Sequence, residues 1–524
     1  MKSFVQWSLG LFGLLLVSAV ILAILATNGG LLRHQLKRYG VRVMRERFNA
    51  DVQLSNLNIL LFPGVRVVGT DLVLRQHGRS DLPPLLTART FSLDGEFLAV
   101  LSKARHFRRL RLDGLLLQVP PRASKTSSPP EQAIEEAEEK PRHGDLRFTI
   151  DEVICQDAEL DMLRNADKPA LIFLLHHLKL TSVRPDAPIL FHTKLTNPKP
   201  IGQVDSHGEF GPWDKDEPGL TPLSGEYSFS NADLSTIKGI SGTLSSEGKF
   251  AGVLDYINVQ GETRTPDFAL TVSGQAVPLA TTFNAIVDGT NGNTILKSVR
   301  ARFLKSTVSA SGQVVKRPGD PARSILLEAT SRDARVEDLL RLAVNSPKPT
   351  LTGAVDLRAK IAIAPRKDLD MVDRLNVHGR FEIRGAQFTS ATVQEKIDAL
   401  SRRGRGEPRA VDAESAISRL EGDFILKHAV ANFSKLTFGV PGATVALKGN
   451  YNLKSESLDF RGSLRLQAKL SQTVTGVKSF FLKVADPLFK RKDAGTVLAI
   501  KVTGTRGKPF WGVDMKSSIT RKVD

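Results

Sequence analysis

The stretch Ser457-Leu-Asp-Phe-Arg-Gly-Ser-Leu-Arg-Leu-Gln-Ala-Lys-Leu470 alternates without a miss. Leu458, Phe460, Gly462, Leu464, Leu466, Ala468 and Leu470 are apolar or small, and Asp459, Arg461, Ser463, Arg465, Gln467 and Lys469 between them are polar. A period of two places the first set on one face of a β-strand and the second on the other. A strand of that length reaches roughly 40 Å, where a usual strand has about 5–6 residues. Its apolar face has to be covered, and the chain offers few amphipathic helices to cover it.

The same patterning recurs on both sides of this stretch. Strands are expected at 52–60, 65–74, 91–97 and 110–119, then at 146–154, 171–181, 189–195, 223–230, 240–245, 268–274, 280–287, 295–303 and 306–315. They continue at 324–330, 350–363, 375–384, 419–427, 430–438, 443–453, 457–470 and 496–505. Phe424, Leu426, Val430, Leu436 and Phe438 read as a second apolar set on the same alternation, interrupted by His428, Asn432 and Ser434. Val65-x-x-x-Gly69, Val308-x-x-x-Gly312 and Val445-x-x-x-Gly449 each sit in such a strand, as repeated hairpins would have them.

Three helices interrupt the β pattern. Asp333–Val344 carries Val336, Leu339, Leu340 and Val344 on one stripe, and Val393–Leu400 carries Val393, Ile397 and Leu400. A third, about 471–490, is amphipathic and basic; it either lies on a membrane or caps the end of a β structure. Between Pro120 and Gly144 two Pro-Pro pairs precede Glu131, Glu135, Glu136, Glu138 and Glu139, the composition of a solvated linker.

The amino terminus is of a different kind. No charge falls between Ser3 and Leu32, and 9–26 is almost wholly Leu, Val, Ile, Ala, Phe and Gly. A hydrocarbon core takes about 20 such residues. Phe4 and Trp7 occupy an interfacial belt, with Leu14, Val20 and Leu25 in the span. The apolar run is longer than a signal-peptide core, and Ala23-Ile-Leu-Ala26 has the wrong spacing for cleavage, so an uncleaved anchor is expected. Arg33, Lys37, Arg38 and Arg42 follow it on a basic helix and are candidates for lipid-headgroup contact. Counting Lys and Arg alone would put the bulk of the chain in the cytoplasm.

The net charge of +18 admits nucleic acid or an anionic membrane as partner. No nucleic-acid-reading motif accompanies it, and aromatic residues for base stacking are few. The single Cys155 excludes a disulfide framework and reads as a small buried hydrophobe. No nucleophile elbow, phosphate loop or zinc motif is present. His176-His177 on a strand would point to opposite faces, which disfavours a shared metal. Asp267 and Asp288 are the nearest approach to a carboxylate pair, and turn-capping is the expected role at Asp288-Gly.

The order of anchor, basic helix and Asn56-Leu-Asn-Ile-Leu-Leu-Phe-Pro-Gly-Val-Arg-Val-Val-Gly-Thr-Asp-Leu-Val-Leu74 resembles the amino-terminal region of bacterial AsmA-like proteins. Val259–Phe268, Asp288–Thr294, Gly439–Leu470 and Ile500–Phe510 resemble the carboxy-terminal region of that family. The resemblance implies an inner-membrane anchor, a periplasmic body and a long curled β-sheet with an apolar groove. It also implies a part in phospholipid movement and outer-membrane biogenesis, against the topology that charge counting favours.

The expected architecture is therefore mainly β: a transmembrane helix (1–32), a basic helix and β region (33–119), a linker (120–144) and a β-groove region (145–524) with a few short amphipathic helices. The expected function is non-enzymatic and needs no cofactor or metal. Phospholipid would lie on Phe424, Leu426, Val430, Leu436, Phe438, Leu458, Phe460, Leu464, Leu466 and Leu470. Envelope proteins are possible further partners, and nucleic acid is not expected. The alternative is a membrane-tethered scaffold for outer-membrane protein assembly whose apolar face is closed by its own packing.

Overall fold

A computed structural model of the chain describes residues 50–60, 65–76, 83–84, 86–95, 105–119, 148–162, 170–184, 186–214, 217–317, 319–346, 348–366, 368–408, 416–468 and 496–513. The expected anchor residues Phe4, Trp7, Leu14, Val20 and Leu25 lie outside them, as do Arg33, Lys37, Arg38, Arg42, the 120–144 linker, Leu470 and the 471–490 helix. No helix among the described residues is long and apolar enough to cross a membrane.

The described residues are mainly β. They form one long, mostly antiparallel sheet of 25 strands with three short helices, and the chain divides into two compact units. The first unit comprises Met1–Ile237, Thr243–Gly261 and Val287–Gly292; the second comprises Lys238–Gly242, Glu262–Ile286 and Asn293–Asp524.

The first unit begins with β1 (Ala50–Gln53), β2 (Asn56–Leu60), β3 (Val65–Gln76), β4 (Leu86–Gly95) and β5 (Arg105–Val119). It continues with β6 (Phe148–Met162), β7 (Leu171–Val183), β8 (Ile189–Pro198), β9 (Ile201–Phe210) and β10 (Pro222–Asp233). β11 (Ile240–Ser241) belongs to the second unit, and β12 (Thr243–Val253) to the first. From β3 to β10 each strand pairs with the next; all these pairs are antiparallel except β5–β6, which is parallel. A parallel pair needs a long crossover, and the Pro- and Glu-rich stretch supplies the chain between these two strands.

Register explains the first unit's core. Val67, Leu93, Leu110, Val153 and Leu180 stand opposite one another across β3 to β7. Phe91, Leu112, Cys155 and Leu178 form the next row. Opposed residues share a face, so alternation along each strand becomes a continuous apolar layer. Phe107, Leu110, Leu112, Ile150 and Val153 are at most 2% exposed. Cys155 is buried in this layer, where desolvation pushes its thiol pKa up to about 12.

β13 (Tyr256–Leu270) runs through both units. The second unit holds β14 (Val277–Val287, its last residue in the first unit), β15 (Thr294–Phe303), β16 (Ser306–Val315), β17 (Ser324–Arg335) and β18 (Leu351–Ile363). It continues with β19 (Leu375–Phe388), β20 (Ser418–Lys427), β21 (Val430–Val440), β22 (Ala443–Asn452), β23 (Ser457–Leu466), β24 (Thr496–Thr505) and β25 (Lys508–Val513). β15 to β25 pair in sequence, all antiparallel. The helices are α1 (Val336–Ala343), α2 (Met371–Arg374) and α3 (Ala391–Arg405).

Helix α1 falls within the segment expected at 333–344, whereas α3 contains the one expected at 393–400 and overruns it at both ends, with Val393 of the expected stripe exposed. Val336, Leu339 and Leu340 of α1 pack with Leu351, Val355 and Ile383. Its buried Asp338 accepts from Ser306 Oγ at 2.7 Å and Lys305 N at 3.0 Å, which ties the helix to the start of β16. In α3, Ile397 and Leu400 pack on Val440, Ala443 and Leu466. Gly404 lies so close to Gly442 that a Cβ there would collide with the Gly442 carbonyl.

That approach also ends β23. The alternation extends to Leu470, but the strand stops at Leu466. Gln467 N donates instead to Gly442 O at 3.0 Å, and Ala468 N to Gly404 O at 2.8 Å. The backbone donors leave the sheet ladder for the α3 end and the Pro441-Gly442 turn.

Candidate functional site

The second unit carries an apolar face that crosses eight strands, β17 to β24. One row runs Ala329, Ala359, Gly379, Phe424, Phe433, Gly449, Phe460, Val502. Its neighbour runs Leu327, Ile361, Val377, Leu426, Ala431, Tyr451, Leu458, Gly504. At the usual strand spacing such a row is about 34 Å long. Aromatic rings follow it: Phe381 to Phe424 at 6.3 Å, Phe424 to Phe433 at 5.7 Å and Phe433 to Phe460 at 5.7 Å between centroids. The Phe424 ring covers Gly379, in space that a side chain on Gly379 would fill. Phe381, Phe424, Phe433, Leu436 and Leu458 are only partly buried.

The opposite face is polar and cross-linked. Lys360 pairs with Glu328 at 2.9 Å, Lys435 with Glu421 at 2.7 Å, Arg419 with Glu382 at 2.8 Å, and Arg380 with Asp423. The first unit repeats the device: Arg66 pairs with Asp94 at 2.6 Å, and Glu152 with both Arg109 at 2.6 Å and Lys179 at 2.9 Å. Hydrogen bonds from Lys179 and Arg109 hold the Glu152 carboxyl below its ordinary range. A carboxyl whose folded pKa lies below its unfolded value stabilises the fold above about pH 4.3, and the gain is lost as pH falls through the folded value. Exposed pairs of this kind contribute roughly 0.2–1 kcal/mol. Glu152→Gln is therefore expected to cost that much at pH 7 and progressively less as pH falls through the folded value, as urea melts at neutral and at acid pH will read.

Phe424, Leu426, Leu436, Phe438, Leu458, Phe460, Leu464 and Leu466 all lie on the apolar face. Val430 lies on the other, opposite Lys427 and Asn452. His428 and Ala429 form a two-residue turn with φ of 48° and 62°, so the chain reverses there and the alternation does not carry through. A bulge between Phe433 and Leu436 then shifts parity again. Phe433, absent from the sequence-derived set, thereby lies between Phe424 and Phe460 in the ring file. Phe438, Leu464 and Leu466 are covered differently: they pack with Ile397 and Leu400 of α3.

The other candidates resolve locally. Asp288 accepts from Thr290 N at 2.9 Å and from Thr290 Oγ1 and Asn291 Nδ2, an Asx turn. Asp267 lies on β13. A bulge between Leu175 and His177 brings both imidazoles to the polar face, where His176 Nε2 is 2.7 Å from Thr196 Oγ1 and His177 meets His192 edge-on at 6.2 Å. Among the described residues no group of three or more His, Cys, Asp or Glu side chains is arranged to hold a metal.

No protein-family model, curated protein or solved structure matches the chain. The apolar face presents rings and aliphatic side chains over eight adjacent strands. Covering it, with lipid or with protein, yields about 25 cal/mol per Å² of apolar surface removed from water.

Proposed function

We propose that the chain is an inner-membrane-anchored, periplasmic, AsmA-like protein that binds phospholipid acyl chains on the apolar face of β17–β24 and contributes to lipid transport and outer-membrane biogenesis. The observation that carries this reading is the file Phe381–Phe424–Phe433–Phe460, three of whose rings are only partly buried, backed by an opposite face closed with ion pairs. Acyl chains would lie across the strands, and headgroups would stay in water. The long apolar run at 9–26 and the resemblance of 56–74 and 439–470 to the AsmA-like family support the anchor and the compartment.

A scaffold role is favoured by one observation. Helix α3 already closes part of the face, over Phe438, Leu464 and Leu466. The two readings part at Phe433 and Asn432, adjacent residues on opposite faces of β21. A photoreactive residue at each, followed by mass spectrometry, tests them. Lipid adducts at 433 and none at 432 are expected. Protein-only adducts at 433, with no phospholipid in the purified protein, would replace the lipid track with a packed scaffold.

A further inference from the structure

Among the described residues, a pair of carboxylates on the polar face of the first unit has no countercharge. Ala158 and Leu160 of β6 face Leu175 and Phe173 of β7, and the intervening Glu159 and Asp161 point to the other side. There Glu159 stands between Leu116 of β5 and Leu174 of β7, and Asp161 between Gln118 and Ile172. Two residues apart on one strand, the two carboxyl groups share that side. Asp161 is only 8% exposed; Oδ2 accepts from Gln118 Nε2 at 3.1 Å, and Oδ1 is enclosed with no hydrogen-bond partner.

Glu152, higher on the same strand, shows what this face ordinarily does with an acid: it surrounds it with Arg109 and Lys179. Among the described residues neither Glu159 nor Asp161 has an ion pair, in a chain with net charge +18. Leu116, Leu174 and Ile172 flank the pair, and a low-dielectric border sharpens repulsion between like charges.

We propose that Glu159, Asp161 and Gln118 form a binding site for a hard divalent cation, Ca²⁺ or Mg²⁺. Both carboxylates are oxygen ligands, and turning the Gln118 amide over offers Oε1 in place of Nε2. One or two carboxylates completed by water are a usual ligand set for Mg²⁺, and Ca²⁺ accepts the same donors with more water. A shared proton would satisfy one oxygen; the site presents Asp161 Oδ1, both Glu159 oxygens and the amide carbonyl. The cation joins β5 to β6 across the parallel pair, at the ends of the two strands that the long crossover connects.

The test is calorimetric titration of the purified full-length chain, stripped of metal, with CaCl₂ or MgCl₂ alone. Thermal melts with and without the ion accompany it. Saturable binding with Kd of about 10⁻⁴–10⁻³ M is expected, with a higher melting midpoint in its presence. Glu159→Gln and Asp161→Asn each keep the side-chain shape and remove one of two repelling charges. Both should raise the metal-free midpoint, and both should weaken binding by about tenfold or more, the loss that even outer-shell changes produce. Unchanged binding in both variants would place the cation elsewhere and overturn the proposal. So would absent binding up to about 10 mM together with a midpoint that rises only on acidification, the signature of a proton shared by the pair.

Discussion

Phe107→Ala is expected to destabilise the first unit by about 3–5 kcal/mol, the usual cost of removing a buried phenylalanine. Phe107 is 2% exposed and stands opposite Gly95 on β4 and Ile150 on β6. Gly95 has no side chain with which to close the void, and a Cβ built on it would already sit 3.2 Å from the Phe107 ring. Ile150 is fully buried and held by its own register with Val183. The cavity has little to collapse into, so the upper part of the range applies. A domain holds about 5–15 kcal/mol in total, so hydrogen exchange in β4 to β7 should rise by orders of magnitude. Phe510→Ala, at a ring 59% exposed on β25, is the control and should move stability by less than about 0.5 kcal/mol. A Phe107→Ala loss below about 1 kcal/mol would mean that this layer is not the core.

Where the sequence could be read, it was through period two. Ser306–Val315 and Thr496–Thr505 are the strands that alternation alone predicts, to the residue. β9 escapes because its apolar-face positions are Gly202, Val204, Ser206, Gly208 and Phe210, three of the five without a side chain that registers as apolar. The ring file escapes for another reason. Its continuity depends on two local events, a turn at His428-Ala429 and a bulge before Leu436, and neither has the Gly or Asn that usually announces it. Each switches which residues face which side, so Phe433 replaces Val430. The Glu159–Asp161 pair follows a bulge-like φ of 51° at Asp157 and depends on which strands flank β6, information that belongs to the topology. The parallel β5–β6 pair is likewise invisible to a pattern that treats each strand alone.

Phe433→Asp separates the two accounts of the apolar face by what it leaves intact. If acyl chains cover the face, the folded protein keeps its sheet, since Phe433 is only partly buried by its own chain and the aspartate can reach water when lipid is absent. Lipid must then pass a carboxylate midway between Phe424 and Phe460. The variant forgoes the roughly 1.5–3 kcal/mol of an apolar side chain's contact and adds a charge whose desolvation costs several more. At about 1.4 kcal/mol per factor of ten, bound phospholipid should fall by about a hundredfold or more, with the melting midpoint nearly that of the parent. If protein covers the face instead, the same aspartate is forced into a packed interior and the second unit unfolds, by the mechanism that makes an unpaired buried charge among the most damaging of substitutions. Lys435→Asp supplies the comparison on the polar face of the same strand, where it breaks a 2.7 Å pair with Glu421. It should cost about 1 kcal/mol, the lost ion pair plus the repulsion of the new carboxylate by Glu421 and by Asp423 opposite it, and leave lipid unchanged. Lipid mass spectrometry and thermal melts on the two variants therefore yield opposite patterns under the two readings, and an unfolded Phe433→Asp beside a folded Lys435→Asp would return the face to ordinary core.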